Sequence, residues 1–212
     1  ADRQEAGRGR GARSFDSPPG GLYVSLLVAG QPEDLPGPLT AAMALAVAEA
    51  VEAVAGVACD LKWPNDLWIQ GRKVGGILLE AAGAALPVIV GLGLNLETVP
   101  ASLEPDVRAT TTSLLEETGR RVARENLLAS LLPRVDAHGQ ALRREEERRR
   151  LARAWRARIA FLGEPITYVF AGRACGGRLV DVDLERGLEV DDEQEGLVWR
   201  GPALVRDVRP VR

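Results

Sequence analysis

Apolar and polar positions follow two rhythms along this chain, and the changes of rhythm mark its elements. Residues 1–21 carry Gly, Arg, Ser and Pro in no periodic order, which predicts a loop. Residues 22–28 form an almost unbroken apolar run, the pattern of a largely buried strand. The stretch 31–38 reads as a turn region. An alanine-rich apolar segment then continues to about Val54 and meets Gly56, which predicts a buried helix. Residues 67–69 and 74–80 read as two strands of a hairpin around Gln70-Gly71-Arg72, and 88–94 as another short strand. One helix beside hairpin-connected strands predicts an α+β fold, with a mostly antiparallel sheet packed by helices.

The middle of the chain shifts to helical spacing. Thr112 or Ser113 is placed to cap a short helix ending at Gly119. Residues 125–137 are amphipathic, with Pro133 expected to kink or divide the helix. Residues 141–161 are dense in charge. Glu145, Glu146 and Glu147 precede Arg148, Arg149 and Arg150 at the spacing that favours helix salt pairs, so the run reads as a solvated helix face rather than a nucleic-acid arm. Beyond Gly163 the rhythm changes again. Short strands at 167–170, 178–182, 187–190 and 197–199, split by Gly and acidic turns, predict a small C-terminal β-barrel. The break divides the chain into 1–161 and 162–212. Asp181 to Glu195 gives the second part an acidic edge.

Composition narrows the function classes. The sequence has 212 residues, 46% of them hydrophobic, enough for a core, and a net charge of −3 argues against a dedicated nucleic-acid binder. Cys59 and Cys175 lie far apart, which fits a reducing compartment and excludes a disulfide scaffold or a thiolate metal site. His138 is the single histidine, so a multi-histidine metal cluster is excluded. The apolar stretch 39–59 is interrupted by Glu49 and Glu52 and reads as a core helix rather than a membrane span. Of the 27 basic residues only Lys62 and Lys73 are lysines. Lysine is a compact point charge where arginine is a planar fork, so the two are not equivalent at a reactive centre.

Both lysines fall in one motif-bearing segment. Leu61-Lys62-Trp63-Pro64-Asn65-Asp66 offers short polar groups at a strand entry, and Asp66 could take Mg²⁺ through oxygen. Arg72-Lys73-Val74-Gly75-Gly76-Ile77-Leu78-Leu79-Glu80 places Lys73 after the hairpin turn, beside two glycines that leave a strand surface bare for a flat ligand. A turn followed by a glycine bulge would account for part of this pattern without a ligand. Gly7-Arg8-Gly9-Arg10-Gly11-Ala12-Arg13, followed by Ser17-Pro18-Pro19-Gly20-Gly21, combines close backbone approach with forked donors for phosphate or carboxylate. Arg-Gly runs also occur in disordered nucleic-acid tails, but this one leads straight into a buried strand. Gly91-Leu92-Gly93-Leu94-Asn95 ends a strand in an amide, which by itself is more often a turn residue.

Taken in order, these four motifs make the chain resemble the biotin protein ligases over nearly its whole length. The resemblance implies a class II synthetase-like catalytic fold and a small SH3-like barrel. It also implies a two-step reaction in the cytoplasm. Biotin and MgATP give biotinyl-5′-AMP and pyrophosphate, and biotin then passes to a lysine of a carboxyl-carrier domain. No tightly bound cofactor is implied. By the same resemblance Lys73, Arg8 and Arg10 are catalytic, and Gln4, Arg8, Gly9, Arg10, Lys73 and Gly76 bind biotin. Arg8, Arg13, Phe15, Lys62, Asn65, Asp66 and Asn95 bind ATP, with Asp66 the Mg²⁺ candidate. Family members occur as monomers and homodimers.

The sequence departs from the family pattern in three places. Ala12 stands where the loop usually has Gly, and Phe15 where it has Trp. Relatives also carry a strand and helix upstream, with a Ser-Thr-Asn stretch at the biotin ring. The chain opens at Ala1 inside a motif, so the expectation is a fragment or an incomplete biotin site. Two alternatives follow: a regulatory module that binds the adenylate without turnover, and a lipoate or octanoate transferase relative.

Overall fold

A computed structural model describes residues 1–10, 14–28, 36–81, 88–183 and 185–211. Arg13 and most of the turn predicted at 31–38 lie outside the described residues. The first sheet takes its strands in the order β1-β5-β4-β3-β2, all antiparallel. These are β1 (Gly21–Val28), β2 (Asp60–Lys62), β3 (Asp66–Ile69), β4 (Arg72–Ala81) and β5 (Val88–Asn95). The β3–β4 hairpin closes through Gln70 and Gly71, at φ 48° and 75°. Positive φ at both central residues is the two-residue turn whose twist matches antiparallel strands, and glycine takes it without steric cost.

One face of this sheet is covered by helices. α1 (Pro36–Ala55) packs on α4 (Arg124–Ala141), α5 (Glu145–Arg156) and β4. It is long and apolar enough to cross a bilayer, yet Ala42, Leu45, Ala46, Ala48, Ala50 and Val51 are fully buried inside the fold. Its two acids become anchors. Glu49 Oε2 lies 3.0 Å from His138 Nε2 on α4, and Glu52 pairs with Arg158 just after α5. α4 runs unbroken through Pro133, contrary to the expected division. A proline removes one helix hydrogen bond, but Leu127 and Leu131 are buried against the core and hold the axis. α5 is shorter than the predicted 141–161. Residue 141 closes α4, and the chain turns after Arg156 to bridge Leu61 through Ile159. The expected salt pairs form on its exposed face, Arg149 to Glu145 at 2.9 Å and Arg150 to Glu147 at 3.5 Å, while Leu151 and Trp155 point inward.

Two short helices join the sheet to α4: α2 (Pro105–Ala109) and α3 (Leu114–Thr118). The hydroxyl of Ser113 caps α3 by accepting from the Glu116 amide at 3.2 Å, as predicted. α2, β2 and the final strand had no clear signal in the sequence.

The second sheet follows the order β10-β6-β7-β8-β9. Its strands are β6 (Pro165–Phe170), β7 (Arg173–Asp183), β8 (Gly187–Asp192), β9 (Gly196–Arg200) and β10 (Val205–Pro210). Among the described residues no pairing joins β10 to β9, so the five strands form an antiparallel sheet in which the expected small barrel is not closed by hydrogen bonds. Its core is apolar, with Ile166, Leu179, Leu188, Val190 and Val205 buried, and one buried polar cluster stands at the ends of β8 and β9. The buried Arg200 guanidinium donates to Asp192 at 3.0 Å and to Glu195 at 2.9 Å, and Tyr168 Oη donates to Asp192. These donors hold the Asp192 carboxyl well below the usual carboxylate range, against the opposing effect of its burial.

A carboxyl with a depressed native pKa contributes stability above its unfolded value and loses it as pH falls. Asp192→Asn is therefore expected to cost about 3 kcal/mol at pH 7, the low end for a broken buried pair because Glu195 remains as an acceptor. Urea melts of both proteins across pH should show the gap closing below about pH 4, where free aspartate protonates.

Candidate active site

The face of the first sheet turned away from the helices is the floor of a cleft of about 710 Å³. Register decides which side chains reach it. Asp66 pairs with Gly76, Gly76 with Gly93, and Gly93 with Tyr23, so these positions share one face. Leu67, Gly75 and Leu94 share the other, against the core. The ladder then shifts by one residue between Leu67 and Trp68, whose partner is Lys73 rather than Val74. This bulge reverses the alternation of β4 once. Val74 is fully buried, while Lys73 joins Gly76, Leu78 and Glu80 on the cleft face. Without the bulge, Lys73 would point into the core.

The paired glycines do different jobs. A Cβ on Gly75 would strike the carbonyl of Gly93 and the Leu94 side chain, so Gly75 serves packing and does not present the bare surface expected of it. Gly76 and Gly91 do present bare backbone to the cleft, and Gly93 carries an aromatic ring instead. The ring of Phe15 lies over Gly93, where a Cβ would stand 2.5 Å from it.

A loop and a strand roof this floor. The Arg-Gly loop is tied down by Gln4 and Ser17, whose hydroxyl donates to Gln4 Oε1 at 2.9 Å, and by the Phe15 amide donating to Gly7 at 2.8 Å. Arg8 reaches Glu80 at 3.0 Å. Arg10 donates to the Pro202 carbonyl at 3.1 Å and stands 5.8 Å from the centre of the Trp63 ring. From β10 and the turn before it come Ala203, Val205, Arg206, Asp207 and Val208. These C-terminal residues, with Glu80 and Ser25, are wall positions that sequence reasoning missed. β10 carries no recognisable motif, and a bulge between Arg206 and Arg209 with Asp207 at φ 52° is invisible in the sequence.

The wall carries Arg8, Arg10, Lys62, Lys73 and Arg206 against Asp66, Glu80 and Asp207. It is thus net cationic in a chain whose net charge is −3, which suits an anionic ligand. Lys73 Nζ lies 2.6 Å from Asp66 Oδ1. Lys62 Nζ stands 4.7 Å from the Trp68 ring centre, and burial pushes its pKa below the usual lysine range, opposed by Asp66. Asn65 is spent on structure: its amide donates to the Ile77 carbonyl at 2.7 Å, and its own carbonyl accepts from the Ile77 amide.

Of the residues singled out in the sequence, Gln4, Arg8, Gly9, Arg10, Phe15, Lys62, Asn65, Asp66, Lys73 and Gly76 converge on this cleft. Asn95 shares the cleft face with Gly91 and Gly93 by strand alternation, where its buried amide donates to the Thr112 carbonyl at 3.0 Å. Among the described residues no three His, Cys, Asp or Glu side chains cluster as a metal cage. Asp66 alone fits a Mg²⁺ that arrives on a nucleotide, which takes one or two carboxylates plus phosphate oxygens.

This geometry agrees with comparisons to known proteins. The model of the biotin/lipoate A/B protein ligase family matches residues 1–95. The biotin--[acetyl-CoA-carboxylase] ligase of Paracoccus denitrificans is 36% identical over 218 residues, 96% of this chain and 83% of that protein. The chain belongs to the biotin protein ligase family. The bifunctional ligase/repressor BirA of Bacillus subtilis is 35% identical over 137 residues, and the matched part spans 42% of its length. The Aquifex aeolicus biotin protein ligase, solved with biotin and ATP, superimposes with a TM-score of 0.83 at 28% identity, over 99% of this chain and 87% of that one. The fold is therefore the biotin ligase fold, antiparallel sheets packed by helices.

Gly93→Ala should force the Phe15 ring aside and cost about 1–3 kcal/mol, the usual range for overpacking. Thermal melts of Gly93→Ala with and without Phe15→Ala test this, the expected result being recovery of most of the loss in the double variant.

Proposed function

We propose that this protein activates biotin with MgATP to biotinyl-5′-AMP and pyrophosphate, then transfers biotin to a lysine of a carboxyl-carrier domain. The observation that carries the reading is the glycine-floored cleft onto which Lys73, Lys62 and the Arg-Gly loop converge. In the first step a carboxylate oxygen attacks the α-phosphorus and pyrophosphate leaves. The substrate supplies its own nucleophile, so no Ser, Cys or His is required. The obstacle is repulsion between two anions, which positioned cations lower electrostatically. Lys73 is the best-placed cation, since the bulge in β4 aims it across bare backbone. In the second step the carrier amine attacks the acyl carbonyl, and AMP departs.

The remaining assignments follow from this reading. Gln4, Gly9 and Gly76 border the biotin end, and Phe15, Lys62 and Asp66 the nucleotide end, with Mg²⁺ entering as part of the ATP substrate. Residues 162–212 form a second unit related to SH3-like barrels, which lends one wall to the cleft of 1–161. An ATP-consuming reaction together with the free thiols of Cys59 and Cys175 fits a reducing, ATP-containing compartment such as the cytoplasm.

Lys73→Ala should lower biotin-dependent pyrophosphate exchange by at least about 100-fold. Near-normal exchange would sink the assignment. Arg10→Ala should loosen the roof, because Arg10 ties the loop to both Trp63 and Pro202. Biotinyl-AMP then escapes, and labelling of a lysine-rich bystander such as serum albumin should rise several-fold. Labelling confined to the carrier lysine would mean the loop does not retain the adenylate.

A further inference from the structure

Lys62 and Trp68 are diagonal neighbours on adjacent strands. β2 sets Asp60 opposite Trp68 and Lys62 opposite Asp66, so these side chains stand on the cleft side of the sheet. Lys62 reaches the cleft wall, and Trp68, 6% exposed, stands behind it. The Lys62 ammonium lies over the Trp68 ring, 4.7 Å from its centre. Phe161 braces that ring perpendicularly, with the ring centres 5.3 Å apart. It does so at φ 68°, a left-handed backbone that a bulky residue keeps only where its surroundings hold it. The indole N–H is buried and has no acceptor among the described residues. An unpaired buried donor is a cost that leucine or phenylalanine would avoid. What tryptophan offers against that cost is the strongest ring face for a cation.

The two lysines are thus held in different ways. Lys73 is bound to a carboxylate, Asp66, at 2.6 Å, which an incoming anion must displace. The charges that face Lys62 are Asp66 on β3, Lys73 on β4, and Asp207 and Arg209 on β10. Collapse onto either carboxylate would neutralise its charge. A ring face holds an ammonium without neutralising it, and leaves the donors on its far side free for a ligand. We infer that Trp68 is a positioning residue for Lys62: its ring keeps the ammonium off the carboxylates and free to meet the phosphates of the nucleotide. This rests on the ligase reading, which puts Lys62 at the nucleotide end of the cleft.

The test combines magnetic resonance with kinetics on the full chain, its lysines isotopically labelled at Cε. Lys62 and Lys73 give one ε-methylene signal each, and Lys62→Arg identifies which is which. In the parent protein the Lys62 signal should lie upfield, shifted by the indole ring current, and should move when MgATP is added. In Trp68→Leu it should return to the ordinary lysine position. The same variant should raise KM for ATP about tenfold, with KM for biotin within about twofold. Trp68→Phe, which keeps a ring, should stay within about threefold of the parent. In a Lys62→Met background, Trp68→Leu should raise KM for ATP no further. A rise of equal size in that background would make Trp68 a packing residue and overturn the inference. An ordinary Lys62 signal in the parent protein would do the same, and that reading stands even where Trp68→Leu fails to fold. Absence of adenylation in the parent protein would instead strike the ligase reading, and the response of the Lys62 signal to MgATP, with and without the Trp68 ring, would still decide the inference.

Discussion

An antiparallel strand shows successive side chains to opposite faces, and β4 breaks that alternation once. Much of the site depends on the break. β4 must bury Val74 and Ile77 against the helices, yet hold a cation on the opposite face. With strict alternation Lys73 would share a face with Gly75 and Ile77, and an ammonium would sit in the core without a partner. The bulge opposite Trp68 lets one strand meet both demands. It also ties the two lysine segments together, since Lys73 then reaches Asp66 across the hairpin.

The division of labour between sheet faces explains the rest of the architecture. The helix-covered face is apolar and close-packed, and the two acids of α1, Glu49 and Glu52, are taken up by His138 and Arg158 at its margin. The other face is built from glycines and a few charged side chains, which leaves a floor on which a planar ligand can lie. Such a floor needs a roof. Two segments far apart in the chain supply it, the Arg-Gly loop and β10, and Arg10 bonded to Pro202 joins one to the other.

Much of the fold was legible in the sequence because local rhythm and punctuation agreed. The continuous apolar run of β1, the alanine-rich α1 ending before Gly56, the Gln70-Gly71 turn and the Ser113 cap each have a local cause. What escaped has non-local causes. β2 is three residues long and is held by Ile159, nearly a hundred positions away. α4 survives Pro133 through tertiary packing rather than propensity. The site shows the same split. Motifs named the floor and the loop, because glycine and charge have local meaning. They did not reveal that Gly75 faces the core, that the Asn95 amide bonds the Thr112 carbonyl, or that β10 closes one side. Those facts depend on register and on contacts between distant segments.

The scarcity of lysine has a chemical corollary. Both ε-amines of the sequence line the cleft, and the remaining basic side chains are guanidiniums, which stay protonated and acylate poorly. An amine-selective reagent applied to the folded protein would thus report almost wholly on the cleft, with the α-amino group as background. A bound ligand should then appear as protection at two defined positions, read by mass spectrometry without any engineered probe.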